Sequence, residues 1–177
     1  DPTLPMLSLD LSRVAENSAL LAVLMTCAAA WMEAALQDPA GGQRFVVYDE
    51  AWRLMSYPSL LARMDAQWRL ARHYGLANLL VFHKLSDLEN GGDQGSRMRG
   101  LASSLPANAQ ARSGYPPDSD QLGVTAQTLG LTGTERSLLP GLGIGQGLWK
   151  IKDRSFVVQH QLHPAELELF DTRARML

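Results

Sequence analysis

Four apolar, strand-favouring residues are followed by two acids in the segment RFVVYDE, Arg44–Glu50. A short continuous apolar run is typical of a central strand covered on both faces. Open α/β sheets bind ligands at the carboxyl ends of their strands, so this strand would present both acids to a ligand. One carboxylate could hold a magnesium ion that bridges phosphates, and the other could orient an attacking water. The alternative is that Asp49 and Glu50 are surface acids that open a loop.

Helix-like and strand-like patterns alternate along the first half of the chain. The predicted elements are a strand over Leu7–Val14, a helix from Asn17 or Ser18 to about Leu36, a helix from Pro58 to Gly75 and a strand over Asn78–Phe82. Strands that alternate with helices predict an α/β fold with a mostly parallel sheet and helices on both of its faces.

The second half of the chain ends in a hairpin pattern. The predicted elements are a strand over Asn108–Tyr115, a capped helix over Asp118–Gly130, a short helix with capping-box spacing at Thr132 and Glu135, a hairpin of Gly147–Ile151 and Ser155–Leu162 that turns at Lys152 and Asp153, and a last helix from Pro164. Asn108–Tyr115 is poor in apolar residues for a core strand, so its pairing is an open question.

Composition narrows the class of protein. The 177 residues are 46% apolar and 19% charged, as expected for about one globular domain. With 18 acidic and 16 basic residues the net charge is -2, which excludes strong unaided capture of nucleic acid. The apolar segment Ala19–Met32 is shorter than the ~20 residues of a membrane span, so it predicts a buried helix with Cys27 in the core.

The order of these motifs resembles that of a group of motor ATPases. RFVVYDEAWRLM, then a helix containing RLARHYGL, the strand NLLVF and the segment FHKLSDL are similar to the large conjugation ATPase of type IV secretion systems, in the HerA–FtsK branch of P-loop NTPases. LTGTERSLLPGLG and GLWKIKDRSFVVQ look most like actinobacterial members. The resemblance covers Leu7 to the end of the chain and implies a partial RecA-like domain with a C-terminal β-hairpin.

The resemblance also implies roles for the acids and for the residue after the next strand. Asp49 would hold the Mg²⁺ of bound ATP, and Glu50 would act on the attacking water as the second Walker B carboxylate. His83 stands where the family has a polar sensor, often Gln, that contacts the γ-phosphate or the water. Alternatively, His83 is a polar strand-end residue bonded to backbone. Lys84 and Ser86 are further candidates for the same pocket.

Ring ATPases often complete their site with an arginine from the neighbouring subunit. Arg154 is the candidate for this catalytic role, with Arg112 as a second choice and Lys150 as a companion. The alternative is that each is an ordinary surface charge.

The phosphate-binding loop of the family, GxxxxGK[ST], does not occur in this sequence. We therefore expect residues 1–177 to be the C-terminal segment of an ATPase domain whose loop lies upstream, and we expect this segment alone to be inactive. A missing strand should leave an exposed sheet edge or an apolar patch, and hence self-association.

Three functions follow from this reading. The first is part of a ring-forming ATPase that drives conjugative DNA transfer or type IV secretion. It would be cytoplasmic, reach the inner face of the membrane and other secretion components through contacts, meet DNA only indirectly, and have no membrane span in this segment. The second is a non-catalytic α/β interaction or oligomerisation module. The third is a HerA- or FtsK-like pump for chromosomal DNA.

Overall fold

The computed structural model describes residues 5–14, 17–36, 42–51, 57–85, 100, 104–106 and 108–170. The chain divides into two compact units, Asp1–Leu105 and Pro106–Leu177. We refer to them as the first and the second unit.

The main elements that the structure describes in the first unit are two long helices and a pair of strands. They are α1 (Ser18–Leu36), β1 (Arg44–Tyr48), α2 (Pro58–Leu70) and β2 (Leu76–Leu80). The strands β1 and β2 are parallel, with register pairs that run from Arg44–Leu76 to Tyr48–Leu80. The expected parallel sheet is therefore present in this unit as a pair.

Local signals in the sequence set the ends of these elements. The Leu20 amide donates to Asn17 Oδ1 at 3.0 Å, which confirms Asn17 as the cap of α1. Pro58 lies in the first turn of α2, where its missing N–H costs nothing. Gly75 has a φ of +64°, and this left-handed residue leads the chain from α2 into β2.

The core of the first unit lies on one face of β1. Val46 and Tyr48 are buried there, whereas Phe45 and Val47 point to the opposite face and are exposed. The core also contains Leu21 and Met25 of α1, Ala51, Leu60, Leu61 and Met64 of α2, and Leu105. The prediction that β1 is covered on both faces is thus wrong for the described residues, because α1 and α2 both contribute to the Val46 side.

The prediction that α1 is buried is also wrong. Only Leu21 and Met25 of this helix are buried, and Cys27 is exposed rather than in the core. The core elements contact a single side of this mostly apolar helix. By length and composition Ala19–Leu36 could cross a membrane, although one such helix is weak support for a span.

The predicted strand over Leu7–Val14 does not form. Residues 5–11 form no helix or strand, and Ser12–Val14 is a single 3₁₀ turn. The Val14 amide donates to the Leu11 carbonyl at 3.1 Å, so local turn bonds replace pairing with another strand.

The second unit contains an antiparallel sheet. Its strands are β3 (Ala111–Gly114), β4 (Gln146–Ile151) and β5 (Arg154–Gln159), in the order β3-β4-β5. The hairpin of β4 and β5 turns at Lys152 and Asp153 as predicted. β3 pairs with β4, from Ala111–Ile151 to Gly114–Leu148, which answers the question left open by its low apolar content.

Short helices and a 3₁₀ turn (Leu139–Gly141) also occur among the described residues of the second unit. The helices are α3 (Leu122–Leu129), α4 (Gly133–Leu138) and α5 (Pro164–Phe170). The capping box predicted for Thr132 and Glu135 is present with both of its bonds. The helix predicted to start at Asp118 instead follows Gln121, which makes no side-chain cap bond, and it ends at the left-handed Gly130.

Candidate functional site

A tight turn at the end of β1 carries the two predicted acids. Glu50 has a φ of +52°, an uncommon left-handed conformation for a residue other than glycine. The amide of Glu50 donates to Asp49 Oδ1 at 3.0 Å, so the first acid supports the turn that presents the second. The side chain of Asp49 is exposed and available to a ligand.

Backbone bonds fix this turn against the chain that follows β2. The Val81 amide donates to the Tyr48 carbonyl at 3.0 Å, and the Ala51 amide donates to the Val81 carbonyl at 3.2 Å. Ala51 is fully buried. The parallel pairing therefore continues beyond the strand ends and holds both strand ends at the same edge.

This edge brings Glu50 and His83 together. Glu50 Oε1 lies 2.9 Å from His83 Nε2, within hydrogen-bond distance, and the pair is an ion pair when the imidazole is protonated. The side chain of Glu50 is 37% exposed and that of His83 is 72% exposed. A carboxylate oriented by an imidazole at an open edge has the geometry of a general base with its positioning partner.

The donor set suits a magnesium nucleotide. Mg²⁺ is commonly bound through one or two carboxylates together with phosphate oxygens and water, and exposed Asp49 offers such an oxygen ligand. No group of three or more His, Cys, Asp or Glu residues that could hold a metal ion occurs among the described residues. The remaining ligands of such an ion would then come from phosphate and water.

Comparison with solved structures identifies a related fold. VirB4 of Thermoanaerobacter pseudethanolicus aligns with 71% of this chain with a TM-score of 0.60. The fold is similar to that of VirB4. The two sequences are 18% identical, and the chain spans 33% of the VirB4 chain. No family model and no curated protein sequence matches the chain.

The likeness to VirB4, together with the small parallel sheet and its helices, shows a mixed α/β fold. The mixed α/β class expected from the sequence is confirmed, with a small parallel sheet and helices. In such a fold the carboxyl edge of the parallel strands is the ligand-binding edge, and this is where Asp49, Glu50 and His83 lie.

Two successive hydrogen bonds between polar side chains lie beneath the site and were not predicted from the sequence. Tyr48 Oη donates to Gln67 Oε1 at 2.9 Å, and Gln67 Nε2 donates to Asn78 Oδ1 at 3.1 Å. Burial raises the pKa of Tyr48 to about 12, so this hydroxyl stays protonated and keeps donating. These two hydrogen bonds join β1, α2 and β2 beneath Asp49 and Glu50. The polar Asn78 at the start of an apolar run was the only sign of them in the sequence.

The arginine and lysine candidates lie in the second unit. Arg154 begins β5 and is exposed. Arg112 Nη1 donates to the Leu129 carbonyl at 3.1 Å, and Lys150 Nζ donates to the Gly130 carbonyl at 2.6 Å. Arg112 and Lys150 therefore support the end of α3. Near the acids, Lys84 is exposed, and Ser86 lies outside the described residues.

Proposed function

We propose that this chain supplies the Walker B carboxylates and the sensor of a motor ATPase that drives type IV secretion or conjugative DNA transfer. The observation that carries the proposal is the Glu50–His83 contact of 2.9 Å at the carboxyl edge of the parallel strands, in a fold similar to that of VirB4. ATP and Mg²⁺ are the proposed ligands, and Asp49 is the proposed metal ligand.

Each residue of the edge has a separate task in this proposal. The exposed carboxylate of Asp49 binds the metal, which when bound neutralises charge on the phosphates. The carboxylate of Glu50 orients a water molecule and accepts its proton. His83 positions that carboxylate through its imidazole and exchanges this contact for one to the water or the γ-phosphate.

The wider setting is part of the same proposal. Residues 1–177 form the C-terminal part of an ATPase domain of the actinobacterial type, and the phosphate-binding loop is supplied by chain upstream. The protein works as a cytoplasmic ring at the inner face of the membrane, together with other secretion components, and contacts DNA only indirectly. Arg154 acts on the site of the neighbouring subunit.

The decisive experiment measures ATP hydrolysis and nucleotide binding by a chain extended upstream to include a phosphate-binding loop. We expect Glu50→Gln to lower kcat by about 100-fold or more while nucleotide binding persists, because only the proton acceptor is lost. Asp49→Asn should weaken binding of the magnesium nucleotide. His83→Gln, which keeps a hydrogen-bonding side chain, should retain more activity than His83→Ala.

The matched control is Glu168→Gln, which makes the same chemical change at an exposed acid of α5. It should leave turnover unchanged. Unaltered turnover in Glu50→Gln, or no turnover in the unsubstituted protein, would remove the catalytic role and leave Asp49 and Glu50 as surface acids.

A second candidate is a non-catalytic interaction module. The large exposed apolar residues favour it, in particular Phe45 and Val47 on β1 and Val23 on α1. This function would be favoured if Glu50→Gln left both ATP turnover and self-association of the protein unchanged.

A further inference from the structure

A cavity of about 120 Å³ lies within the first unit, between α1 and α2. Residues of both helices line it, together with Tyr48 of β1 and Leu76 of β2. An apolar cavity of about 150 Å³ in a protein interior is large enough to bind benzene. The cavity between α1 and α2 is therefore close in size to a single six-membered ring.

The side chains that line this cavity suit an aromatic ring. Three of them are methionines, Met25, Met32 and Met64, and two are the aromatic residues Tyr48 and Tyr74. Methionine has three rotatable bonds, so it adjusts to the shape of an occupant, and its sulfur makes favourable contacts with aromatic rings. Tyrosine rings also pack favourably against a second ring. An aromatic ring thus gains contacts here that a saturated chain of the same volume does not.

The charges at this cavity exclude a charged occupant. Among its lining residues only Glu33 of α1 and Arg63 of α2 are charged, and Arg63 Nη1 donates to Glu33 Oε2 at 3.0 Å. Their side chains are 58% and 45% exposed, so this ion pair lies at the outer edge of the cavity. An ion inside the cavity would lose its hydration without gaining an unpaired counter-charge. The occupant must therefore be neutral.

One hydrogen-bond acceptor faces such an occupant. Tyr48 is buried and lines the cavity, and its Oη donates to Gln67 Oε1 at 2.9 Å. A phenolic oxygen that donates its proton can still accept a bond. Because burial raises the pKa of Tyr48 to about 12, the hydroxyl keeps this proton and remains a neutral acceptor. A ligand with one donor group would match it.

We propose that this cavity binds a small neutral aromatic molecule that carries one hydrogen-bond donor, of which phenol is the simplest example. The ring lies among Met25, Met32 and Met64, and the donor bonds to Tyr48 Oη. The volume sets the size of the ligand, the methionines and tyrosines select a ring, and the ion pair of Glu33 with Arg63 excludes charge.

A segment of polypeptide fits the cavity less well than such a molecule. Every residue of a peptide brings a backbone N–H and C=O, and each of these groups must be paired once it is buried. Among the lining residues, the uncharged polar side chains are Tyr48, Gln67 and Tyr74. A molecule with a single donor needs one partner, and Tyr48 supplies it.

The cavity is separate from the acids at the carboxyl edge but touches the same strand. Tyr48 immediately precedes Asp49, and Gln67 Nε2 bonds to Asn78 Oδ1 of β2 at 3.1 Å. A ligand held by Tyr48 therefore bears on the two bonds that join β1, α2 and β2. Any effect of the ligand on ATP turnover rests on the proposed function, whereas binding itself does not.

A titration of the 177-residue chain with phenol, followed by NMR of carbon-13-labelled methionine methyl groups, tests the site. The signals of Met25, Met32 and Met64 should shift and saturate with a dissociation constant of about 1 mM or tighter. The signal of Met6, which is 79% exposed and does not line the cavity, should not move.

A change at Tyr48 tests the hydrogen bond. Tyr48→Phe should raise the dissociation constant of phenol about fivefold to tenfold, because the acceptor is lost. Toluene, which has a methyl group in place of the hydroxyl, should bind this variant no more weakly than it binds the unsubstituted chain. Circular dichroism verifies that the variant is folded.

A change of size tests the location. Ala29 of α1 lines the cavity, so Ala29→Phe should fill it and abolish the binding of phenol and of toluene. The matched control is Ala30→Phe, which makes the same change at the next residue, where the side chain is exposed and outside the cavity. It should leave both dissociation constants unchanged.

Four results would overturn the proposal. They are no saturable shift of the three methionine signals up to about 10 mM phenol, an equal effect of Tyr48→Phe on phenol and toluene, binding that survives Ala29→Phe or is lost in Ala30→Phe, and loss of phenol binding when the chain is extended upstream. The last result would assign the cavity to the upstream chain. Because no nucleotide is present, none of these results depends on the outcome of the ATP hydrolysis experiment.

Discussion

The two units differ in how their helices and sheets are held together. In the second unit, Glu135 of α4 accepts hydrogen bonds from the Thr132 amide, from Lys150 Nζ at 3.1 Å and from the Ser155 hydroxyl, which ties the helix to the hairpin. In the first unit, β1 buries one side and exposes Phe45 and Val47 on the other. In the first unit, core residues therefore cover the Val46 side of β1 and leave the Phe45 side exposed.

The difference follows from how the strands are paired. An antiparallel hairpin such as β4 and β5 is joined by a short turn, whereas the parallel pair β1 and β2 needs the whole of α2 as a crossover. Hairpin contacts are local in sequence, and parallel contacts close a longer loop. We infer that the second unit depends less on distant parts of a protein than the first.

The largest expected effect comes from matched core truncations, one in each unit. Leu61 of α2 and Leu139 after α4 are both fully buried, so replacement of either by Ala should cost about 2–5 kcal/mol. Leu61→Ala should speed amide hydrogen exchange in β1 and β2 and leave β4 and β5 protected. Leu139→Ala should have the reverse effect. Equal loss of protection in both units from either variant would show that they unfold as one.

Local signals in the sequence predicted several of the element ends, and the order of elements predicted that the end of β1 and His83 would lie at one edge. The side chain of Asn17 as a cap, Pro58 in the first turn of α2 and the Thr132–Glu135 box each act within one turn of chain. The proximity of the Glu50 strand end and His83 was predictable for a related reason. Two strands joined by one helix are parallel, and parallel strands end at the same edge of a sheet.

Burial could not be predicted in the same way. The pleat decides that Phe45 and Val47 share a side, but a separate part of the fold decides whether that side is covered. The same holds for α1, whose apolar composition predicts burial all round although the core elements contact one side of it. The bonds from Tyr48 to Gln67 and on to Asn78 depend on how α2 crosses the strands, and residue spacing does not encode this.

A smaller effect is expected when the polar cluster of the second unit is weakened. Hydrogen bonds, of which that from Ser155 is the strongest, lower the pKa of Glu135 from its ordinary 4.5 to about 2. Glu135→Gln should therefore cost about 1–2 kcal/mol at pH 7, because the charge-assisted bonds from Lys150 and Ser155 are lost while the Gln oxygen can still accept the capping-box bond from the Thr132 amide. Thermal unfolding of both proteins measures this cost.

The pH dependence of that cost has a definite sign. A carboxylate with a depressed pKa stabilises the fold fully above its unfolded pKa of about 4.5, and the contribution is lost as the pH falls through the folded value of about 2. The stability gap between the two proteins should therefore be constant near neutral pH and close between about pH 4.5 and pH 2. A gap that persists at pH 2 would contradict the assignment. Glu168→Gln, at an exposed acid, should show no gap.

The smallest expected effects come from a glycine-to-alanine substitution made once in each unit. Comparing the two variants separates the cost of backbone strain from the cost of packing. Gly75 and Gly130 have nearly the same left-handed φ, +64° and +63°, so an alanine meets the same backbone penalty of about 1 kcal/mol at each. A Cβ at Gly75 would lie at an ordinary 3.4 Å from the Gly42 carbonyl, whereas one at Gly130 would lie 3.2 Å from Arg112 Nη1. That nitrogen donates to the Leu129 carbonyl. Gly130→Ala should therefore lower the urea midpoint more than Gly75→Ala, and equal midpoints would mean that Arg112 shifts aside without loss of its bond.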